Sequence, residues 1–220
     1  MNLFSVFDPT SYFGISINWM IILMIYVILL TSYFKMYSGY LVFIKKLLVN
    51  VNEVFKEVAD TKYFGIICLS LISFMYLIIC NLMGLFPFIF TGTAHIMFTM
   101  GLGIVMWMSF FMMGWFKNFK NSAAHLVPEG SPLFLSPVLV LIESISHLMR
   151  PFTLSIRLAA NMMAGHLIIG LLSSISLLGS LGMISSLMFQ SLLLILEFGV
   201  AVIQGFVFSI LLLLYAVEYY

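Results

Sequence analysis

Residues 154–166 read Leu154-Ser-Ile-Arg-Leu-Ala-Ala-Asn-Met-Met-Ala-Gly-His166, and this stretch lies inside a charge-poor run that extends over residues 133–172. A helix of that length measures about 60 Å, twice the roughly 30 Å hydrocarbon thickness of a bilayer. Within it stands Arg157, and an arginine at the centre of a membrane helix costs roughly 2.5–3.5 kcal/mol and cannot lose its proton. Such a residue predicts a function: a fixed cation that serves an anionic partner or an ion path.

The composition of the whole chain points to the same environment. Of its 220 residues, 63% are hydrophobic and only 8% are charged, whereas about 25% of the residues of a soluble domain are charged. Several charge-free runs exceed the roughly 20 residues that a helix needs to cross a bilayer. The chain is therefore predicted to be an integral membrane protein rather than a soluble domain with one very large core.

The hydrophobic runs predict an all-α fold in a single membrane domain, residues 1–220. Five membrane helices are expected, at residues 12–34, 63–90, 94–116, 133–172 and 187–219. The last two are predicted to be long and strongly tilted and to form a hairpin, with Pro151 as a kink and the Ser- and Gly-rich residues 173–186 between them. In residues 35–62, apolar residues recur at helical spacing on the side opposite the charged residues, which predicts an amphipathic surface helix. A partly helical loop is the alternative.

The lysines predict the orientation. All seven lie between Lys35 and Lys120, five after the first span and two after the third. Because cytoplasmic or matrix-side connections carry the excess of basic residues, the N-terminus is expected outside and the C-terminus inside. No basic residue precedes the first apolar run, which argues against a cleaved secretory signal.

The charges within residues 133–172 share one helical face. At about 100° per residue, Glu143, Arg150 and Arg157 form a single stripe that drifts by only about 20° every seven residues. The surface around Arg157 is small and polar, formed by Ala160, Asn161 and Ala164. Small residues admit another helix or water. The alternative is ordinary tight packing in which Arg157 pairs with a glutamate of its own bundle.

Two further candidates lie away from the Arg157 stripe. His166 follows Arg157 by nine residues, about half a turn out of phase and roughly 13 Å further along the helix. Histidine titrates near neutral pH, which suits a proton relay. On the last helix, Glu197 and Gln204 share one face, and a buried carboxylate must be paired, protonated or hydrated. A structural histidine and ordinary interhelical hydrogen bonds are the alternatives.

Other polar residues are less informative. Glu143 and Arg150 stand near the break expected at Pro151, where structural pairing competes with a function. His147 has no discriminating context, and His95 and His125 are expected to be solvated loop residues. Cys68 and Cys80, both in one apolar run, are predicted to be small core residues.

Motifs for cofactors are missing from the chain. It contains no CxxC or HExxH pattern, no phosphate-binding glycine loop and no nucleotide fingerprint. No cofactor or metal is expected, and any nucleotide must bind another chain.

The run 142–166, with Glu197 and Gln204 downstream, resembles subunit a of the F-type ATP synthase membrane sector. The resemblance covers essentially the whole chain and includes three supporting segments: Phe7-Asp-Pro, Asn81-Leu-Met-Gly-Leu-Phe-Pro87 and His125-Leu-Val-Pro-Glu-Gly-Ser-Pro132. The order of His166 before Glu197 is that of the mitochondrial branch, since bacterial relatives carry the carboxylate first.

The resemblance implies roles for individual residues. Arg157 corresponds to the essential arginine that faces the ring of c subunits, and Asn161 and Gln204 occupy polar positions of the same interface. His166 and Glu197 resemble the family's relay pair, and Glu143 stands at a family acidic position. Proton translocation is thus expected to involve Arg157, His166, Glu197, Asn161, Gln204 and Glu143, whereas Arg150 and His147 match no functional position.

The resemblance also implies a function and partners. The chain is expected to be a stator with two half-channels that pass protons to and from c-ring carboxylates, without catalytic chemistry of its own. Expected partners are the c ring, other membrane-sector and peripheral-stalk subunits, protons and lipid, and no nucleic acid. The expected location is the mitochondrial inner membrane, with the N-terminus in the intermembrane space and the C-terminus in the matrix.

Two other classes compete with the stator. A proton-pumping or antiporter-type subunit of a respiratory complex is expected to carry lysines within its spans and discontinuous helices, but all seven lysines here lie outside the predicted spans. A purely structural membrane subunit predicts that neutralising Arg157 affects assembly alone. Sodium coupling also stays open, because that choice is set largely on the ring.

Overall fold

The computed structural model describes residues 7–9, 16–29, 39–59, 63–86, 89–117, 119–120, 123, 126–127, 134–176 and 179–219. These residues are helical or lie in short turns, in agreement with the all-α prediction. The longer helices are α1 (Met20–Leu29), α2 (Gly39–Val58), α3 (Phe64–Gly84), α4 (Ile96–Lys117), α5 (Ser136–Ile175) and α6 (Ser180–Tyr219). Short 3-10 turns cover Ile17–Trp19 and Gly92–Ala94.

Four of these helices, α3 to α6, are long and apolar enough to cross a membrane. They confirm a polytopic membrane protein. Of the first span expected at residues 12–34, the structure describes residues 16–29, which include the 10-residue helix α1 and the short turn before it. The count of five spans therefore stays a prediction.

The junction between α5 and α6 differs from the prediction. Residues 173–186 were expected to connect the last two helices, yet α5 continues to Ile175 and α6 begins at Ser180 rather than at residue 187. The helices accommodate these serines because most of the hydroxyls donate to a carbonyl of the preceding turn, as Ser173 Oγ does to the Gly170 carbonyl at 2.6 Å. Gly179, which directly precedes α6, has φ of 140°, a backbone conformation that favours glycine.

Helix α5 is 40 residues long and runs through Pro151 without interruption. It packs against both α4 and α6, which also contact each other, and α6 packs against α3 as well. Contacts between α5 and α6 run in opposite order along the two helices, since Arg150 meets Glu218 and Asn161 meets Gln204. Gly103 of α4 admits close approach, because a Cβ there would lie 3.3 Å from the Ser155 Cβ of α5.

Helix α2 packs one face against the bundle. Phe55 is fully buried, and its ring lies 6.2 Å from the ring of Phe74 on α3 and 6.2 Å from that of Phe206 on α6. The charged side chains of α2 are exposed: Lys45, Lys46, Glu53, Lys56 and Glu57. The structure thus forms a helix over residues 39–58 with Phe55 buried and its charged side chains exposed. The amphipathic surface helix at residues 35–62 stays a prediction, and residues 35–38 and 60–62 lie outside the described ranges.

Candidate functional site

Arg157 lies on the outer side of α5. Its neighbours Leu158 and Ala159 turn into the bundle, each 1% exposed, while Arg157 and Asn161 are exposed. Among the described residues, none forms an ion pair or a hydrogen bond with Arg157. The predicted alternative of a glutamate partner within the bundle is therefore not seen in the described part of the chain. A fixed cation on an apolar outer face is costly unless an anionic group stabilises it.

A pair of amides connects α5 to α6 one turn further along. Asn161 Nδ2 donates to Gln204 Oε1 at 3.3 Å. Gln204 is 6% exposed, and its Nε2 is buried without a hydrogen-bond partner among the described residues. The two residues that the sequence placed on separate helices thus form one polar contact, beside the Arg157 face, with a donor left for water or a proton carrier.

The histidine and the carboxylate also come together across this interface. His166 Nε2 lies 3.9 Å from Glu197 Oε1, too far for a direct hydrogen bond. Glu197 is 6% exposed, and within the described residues neither carboxylate oxygen nor His166 Nε2 has a hydrogen-bond partner. The ring of Phe7 covers His166 at 6.4 Å between centroids. Polar groups at this separation are suited to a bridging water.

Two cavities link these polar groups. One of about 190 Å³ lies between α5 and α6 and is lined by Asn161, Gly165 and Glu197 among other residues. A second, of about 10 Å³, is lined by Asn81, Asn161, Glu197 and Gln204. A polar cavity of this smaller size is just large enough for one water, and the larger one has room for several. Asn161 and Glu197 line both cavities, so a hydratable space leads from the carboxylate towards the Arg157 face.

Glu143 lies in a different cluster from the other predicted site residues. It stands about 21 Å from Arg157 along α5, since the two are fourteen residues apart. Its Oε1 is 3.5 Å from His147 Nε2 and 4.0 Å from Arg150 Nη2. Arg150 Nη1 pairs more closely with Glu218 Oε2 of α6, at 2.5 Å. The structure therefore brings five predicted residues to one region and Glu143 to the opposite end of the α5–α6 contact.

Comparison with known proteins gives the family. Residues 14–217 match the family model described as the ATP synthase A chain. The chain belongs to this family. It is 44% identical to ATP synthase subunit a of Locusta migratoria, over 100% of this chain and 99% of the relative. It is 42% identical to that of Artemia franciscana, over 99% of both chains, and 41% identical to that of Apis mellifera ligustica, over 99% and 96%. The resemblance read from the sequence is confirmed, and the respiratory-complex alternative is not favoured.

Asn81, to which the sequence analysis gave no role, also borders this candidate site in the subunit a family member. It is fully buried on α3, and its Nδ2 donates to the backbone carbonyl of Ala201 at 3.3 Å. Its Oδ1 is buried with no hydrogen-bond partner in the described ranges and borders the smaller cavity beside Glu197. The available signal was a lone amide within the uncharged run 63–90, since buried amides in membrane helices need partners.

His95 corrects another expectation. It was predicted to be a solvated loop residue, but its ring lies 5.1 Å from that of Trp19 and 5.1 Å from that of Phe90. Its Nε2 is buried, with no hydrogen-bond partner among the residues that the structure describes. The turn Gly92–Ala94 packs against α5 and draws His95 inward, a tertiary contact without a local sequence signal. His125 lies outside the described residues.

The absence of a side chain at Gly165 leaves the space that the Glu197 carboxylate occupies in this member of the subunit a family. A Cβ at position 165 would lie 2.5 Å from Glu197 Cδ, which no real packing tolerates. We therefore expect Gly165→Ala to displace the carboxylate, at an overpacking cost of about 1–3 kcal/mol, and to slow ATP synthesis driven by an imposed proton gradient.

Gly199→Ala is the matched control for that substitution, because a Cβ at Gly199 meets nothing within 4 Å. Equal synthesis rates in the two variants would show that the position of Glu197 is not critical. Blue-native gels of the assembled complex separate this effect from a simple loss of protein.

Proposed function

We propose that Arg157 divides two proton half-channels in this stator subunit of the ATP synthase membrane sector. The role of the subunit follows from its family: the chain couples proton flow to ATP synthesis, and nucleotide binds other chains. The residue-level proposal is supported by one observation above all, the outward position of Arg157 without a partner among the described residues. Proton flux through reconstituted complexes with Arg157 variants tests it.

The proposed role of Arg157 is electrostatic. A carboxylate on the c ring can turn through lipid only when it is protonated, because an ionised carboxylate in hydrocarbon is very costly. Opposite Arg157 the ionised form is stabilised, so the proton leaves there. A guanidinium keeps its own proton and repels others, which blocks a direct leak. Each proton that leaks across 100 mV wastes about 2.3 kcal/mol.

The outer half-channel is proposed to use the polar groups at the α5–α6 interface. His166 and Glu197, 3.9 Å apart, would exchange protons through water in the adjoining cavity. The Asn161–Gln204 contact lies beside the Arg157 face, and its remaining amide donor, the buried Gln204 Nε2, can bind water in the smaller cavity. Protons would thus pass from His166 and Glu197 towards the ring.

The inner half-channel is proposed to include Glu143. This carboxylate lies at the opposite end of the α5–α6 contact and is half-buried, with side-chain exposure of 36%. A proton released by the ring near Arg157 would leave along this end. The distance of about 21 Å between Glu143 and Arg157 requires water or the ring itself to complete the path.

The chain is a multi-pass protein of the mitochondrial inner membrane and works with other ATP synthase subunits. The finer arrangement is part of the proposal: five spans, α2 on the matrix surface, and α5 and α6 as a tilted hairpin beside the c ring. Support comes from the opposite order of the α5–α6 contacts and from the 40-residue length of each helix, about twice that of a simple span. The lysine distribution supports an N-terminus in the intermembrane space and a C-terminus in the matrix.

His166→Leu is expected to slow proton flow without abolishing it. The imidazole has no direct hydrogen bond to Glu197, so water could still reach the carboxylate at a lower rate, and we expect a loss of about tenfold or more. Passive proton conduction through the membrane sector, measured after removal of the catalytic head, gives the rate directly.

A conservative change separates proton exchange by His166 from its packing. His166→Gln keeps polarity and much of the volume but cannot titrate. If its conduction equals that of the unchanged protein, His166 is a structural residue covered by Phe7. If both variants conduct slowly while assembled normally, the relay role is supported.

A further inference from the structure

We infer that Glu143 and His147 form a second proton-sharing pair, located at the inner end of α5. No role was assigned to His147 or Arg150 from the sequence. The inference rests on the proposed function, since it assumes that Glu143 belongs to the inner half-channel. It is carried by a cluster of four titratable or charged side chains outside the site around Arg157.

The geometry of the pair is local and well defined. Glu143 and His147 stand one turn apart on α5, with His147 Nε2 3.5 Å from Glu143 Oε1. The histidine side chain is 10% exposed and the carboxylate 36% exposed. One member is therefore turned into the protein, and the other is partly exposed on its surface. Such a pair can hold a proton at the buried imidazole and release it from the more exposed carboxylate.

The charges around the pair explain why His147 is needed. Arg150 lies 2.5 Å from Glu218 of α6 but 4.0 Å from Glu143, and its guanidinium stacks over the Tyr215 ring at 5.0 Å. Its charge is therefore largely matched by Glu218. On α4, which also packs against α5, the sole charged residue is the terminal Lys117. The Glu143 carboxylate is left incompletely paired, and a proton shared with His147 completes it.

The pair repeats the arrangement on the other side of Arg157. His147 precedes Arg157 by ten residues and His166 follows it by nine, which places the two imidazoles about 15 Å and 13 Å away along the helix. Each lies within 4 Å of a glutamate, Glu143 or Glu197. Each half-channel would thus contain one imidazole and one carboxylate that together bind a single proton.

The proton balance of the step is simple. During ATP-driven pumping, a hydronium ion on the inner side gives one proton to the Glu143 carboxylate and becomes water, and the proton then exchanges between Glu143 Oε1 and His147 Nε2 after a small approach of the two side chains from their 3.5 Å separation. The same proton then passes through water to the ionised carboxylate of the ring, which becomes neutral. The pair returns to a carboxylate and a neutral imidazole, ready for the next proton.

The test uses the complete ATP synthase in vesicles with its catalytic head outside, so that the medium is the inner side. For His147→Gln we expect ATP-driven pumping near the unchanged rate at a medium pH of about 6 and at least about threefold slower at pH 8, because a non-titrating residue cannot help to capture scarce protons. Changing the pH of the vesicle lumen should not reproduce this difference. An equal loss at every medium pH, or no loss, would overturn the inference.

Two further variants keep the result interpretable. Ser146→Ala changes an exposed neighbour whose hydroxyl bonds only to the local backbone, and it should retain the pH profile of the unchanged complex. The double variant Glu143→Gln with His147→Gln should be no slower than Glu143→Gln alone if the two residues act as one unit. Additive losses would overturn the inference. If His147→Gln does not assemble, His147→Asn serves in its place.

The same vesicles distinguish this inference from the proposed function. Normal pumping by Arg157→Gln would refute the proposed function itself. Loss of pumping in Arg157→Gln, together with an unchanged pH profile in the His147 variants, would overturn the inference about the pair alone.

Discussion

Arg157→Gln should abolish coupled ATP synthesis while the complex still assembles. The side chain is exposed on α5 and makes no hydrogen bond or ion pair within the described residues, so its removal should cost the fold little. Without the cation, the ionised form of the ring carboxylate is no longer stabilised at the boundary between the half-channels. Protons are also no longer repelled there and can cross directly. We expect synthesis to fall by at least about 100-fold, equivalent to about 2.7 kcal/mol.

Two measurements should move in opposite directions in this variant. ATP synthesis driven by an imposed gradient should disappear, while passive proton leak through complexes without the catalytic head should rise. Thr153→Gln is the matched control, because it places the same amide on an exposed position of α5 one turn away and keeps the cation. Near-normal synthesis in Arg157→Gln would refute the proposed role, and loss of assembly alone would favour a structural subunit.

Glu197→Gln should have the second largest effect. The carboxylate is 6% exposed, its oxygens have no hydrogen-bond partner among the described residues, and it lines both cavities. An amide has nearly the same shape but cannot accept and release a proton. We expect proton-driven synthesis to fall by about 100-fold, in the range found when a proton-transfer group is removed.

The control for Glu197 is a carboxylate elsewhere on the chain. Glu53 is exposed on α2, away from the α5–α6 interface, and Glu53→Gln should leave synthesis within about twofold of the unchanged rate. If Glu197→Gln retains synthesis at the level of Glu53→Gln, protons reach the ring by a path that does not involve Glu197. The outer half-channel would then have to be sought along another face of α5.

The relative orientations of Glu197 and Gln204, and of Arg157 and His166, show what helical periodicity can predict. Glu197 and Gln204 were expected to share a face, and both are buried on the side of α6 that meets α5. Arg157 and His166 were expected to point apart, and one is exposed while the other is half-buried. These relations follow from the 3.6-residue period alone. The periodicity does not say which other helix a face will meet.

The ion pairs show the limit most clearly. Arg150 shares a stripe with Glu143 on its own helix, yet it lies closer to Glu218, which is 68 positions away in the chain. His95 was expected to be a solvated loop residue, yet its ring packs against those of Trp19 and Phe90. Such choices depend on how closely two helices approach, which is decided by small residues such as Gly165 and Gly103.

By itself, the sequence determined that this chain is a bundle of membrane helices with a permanent cation on one face, because hydrophobic run length and helical period are local properties of the chain. Only the tertiary structure decided which polar groups meet: Asn161 with Gln204, His166 with Glu197, and Asn81 beside them. The physical reason is that contacts between distant helices depend on side-chain packing across the interface, which no local pattern encodes.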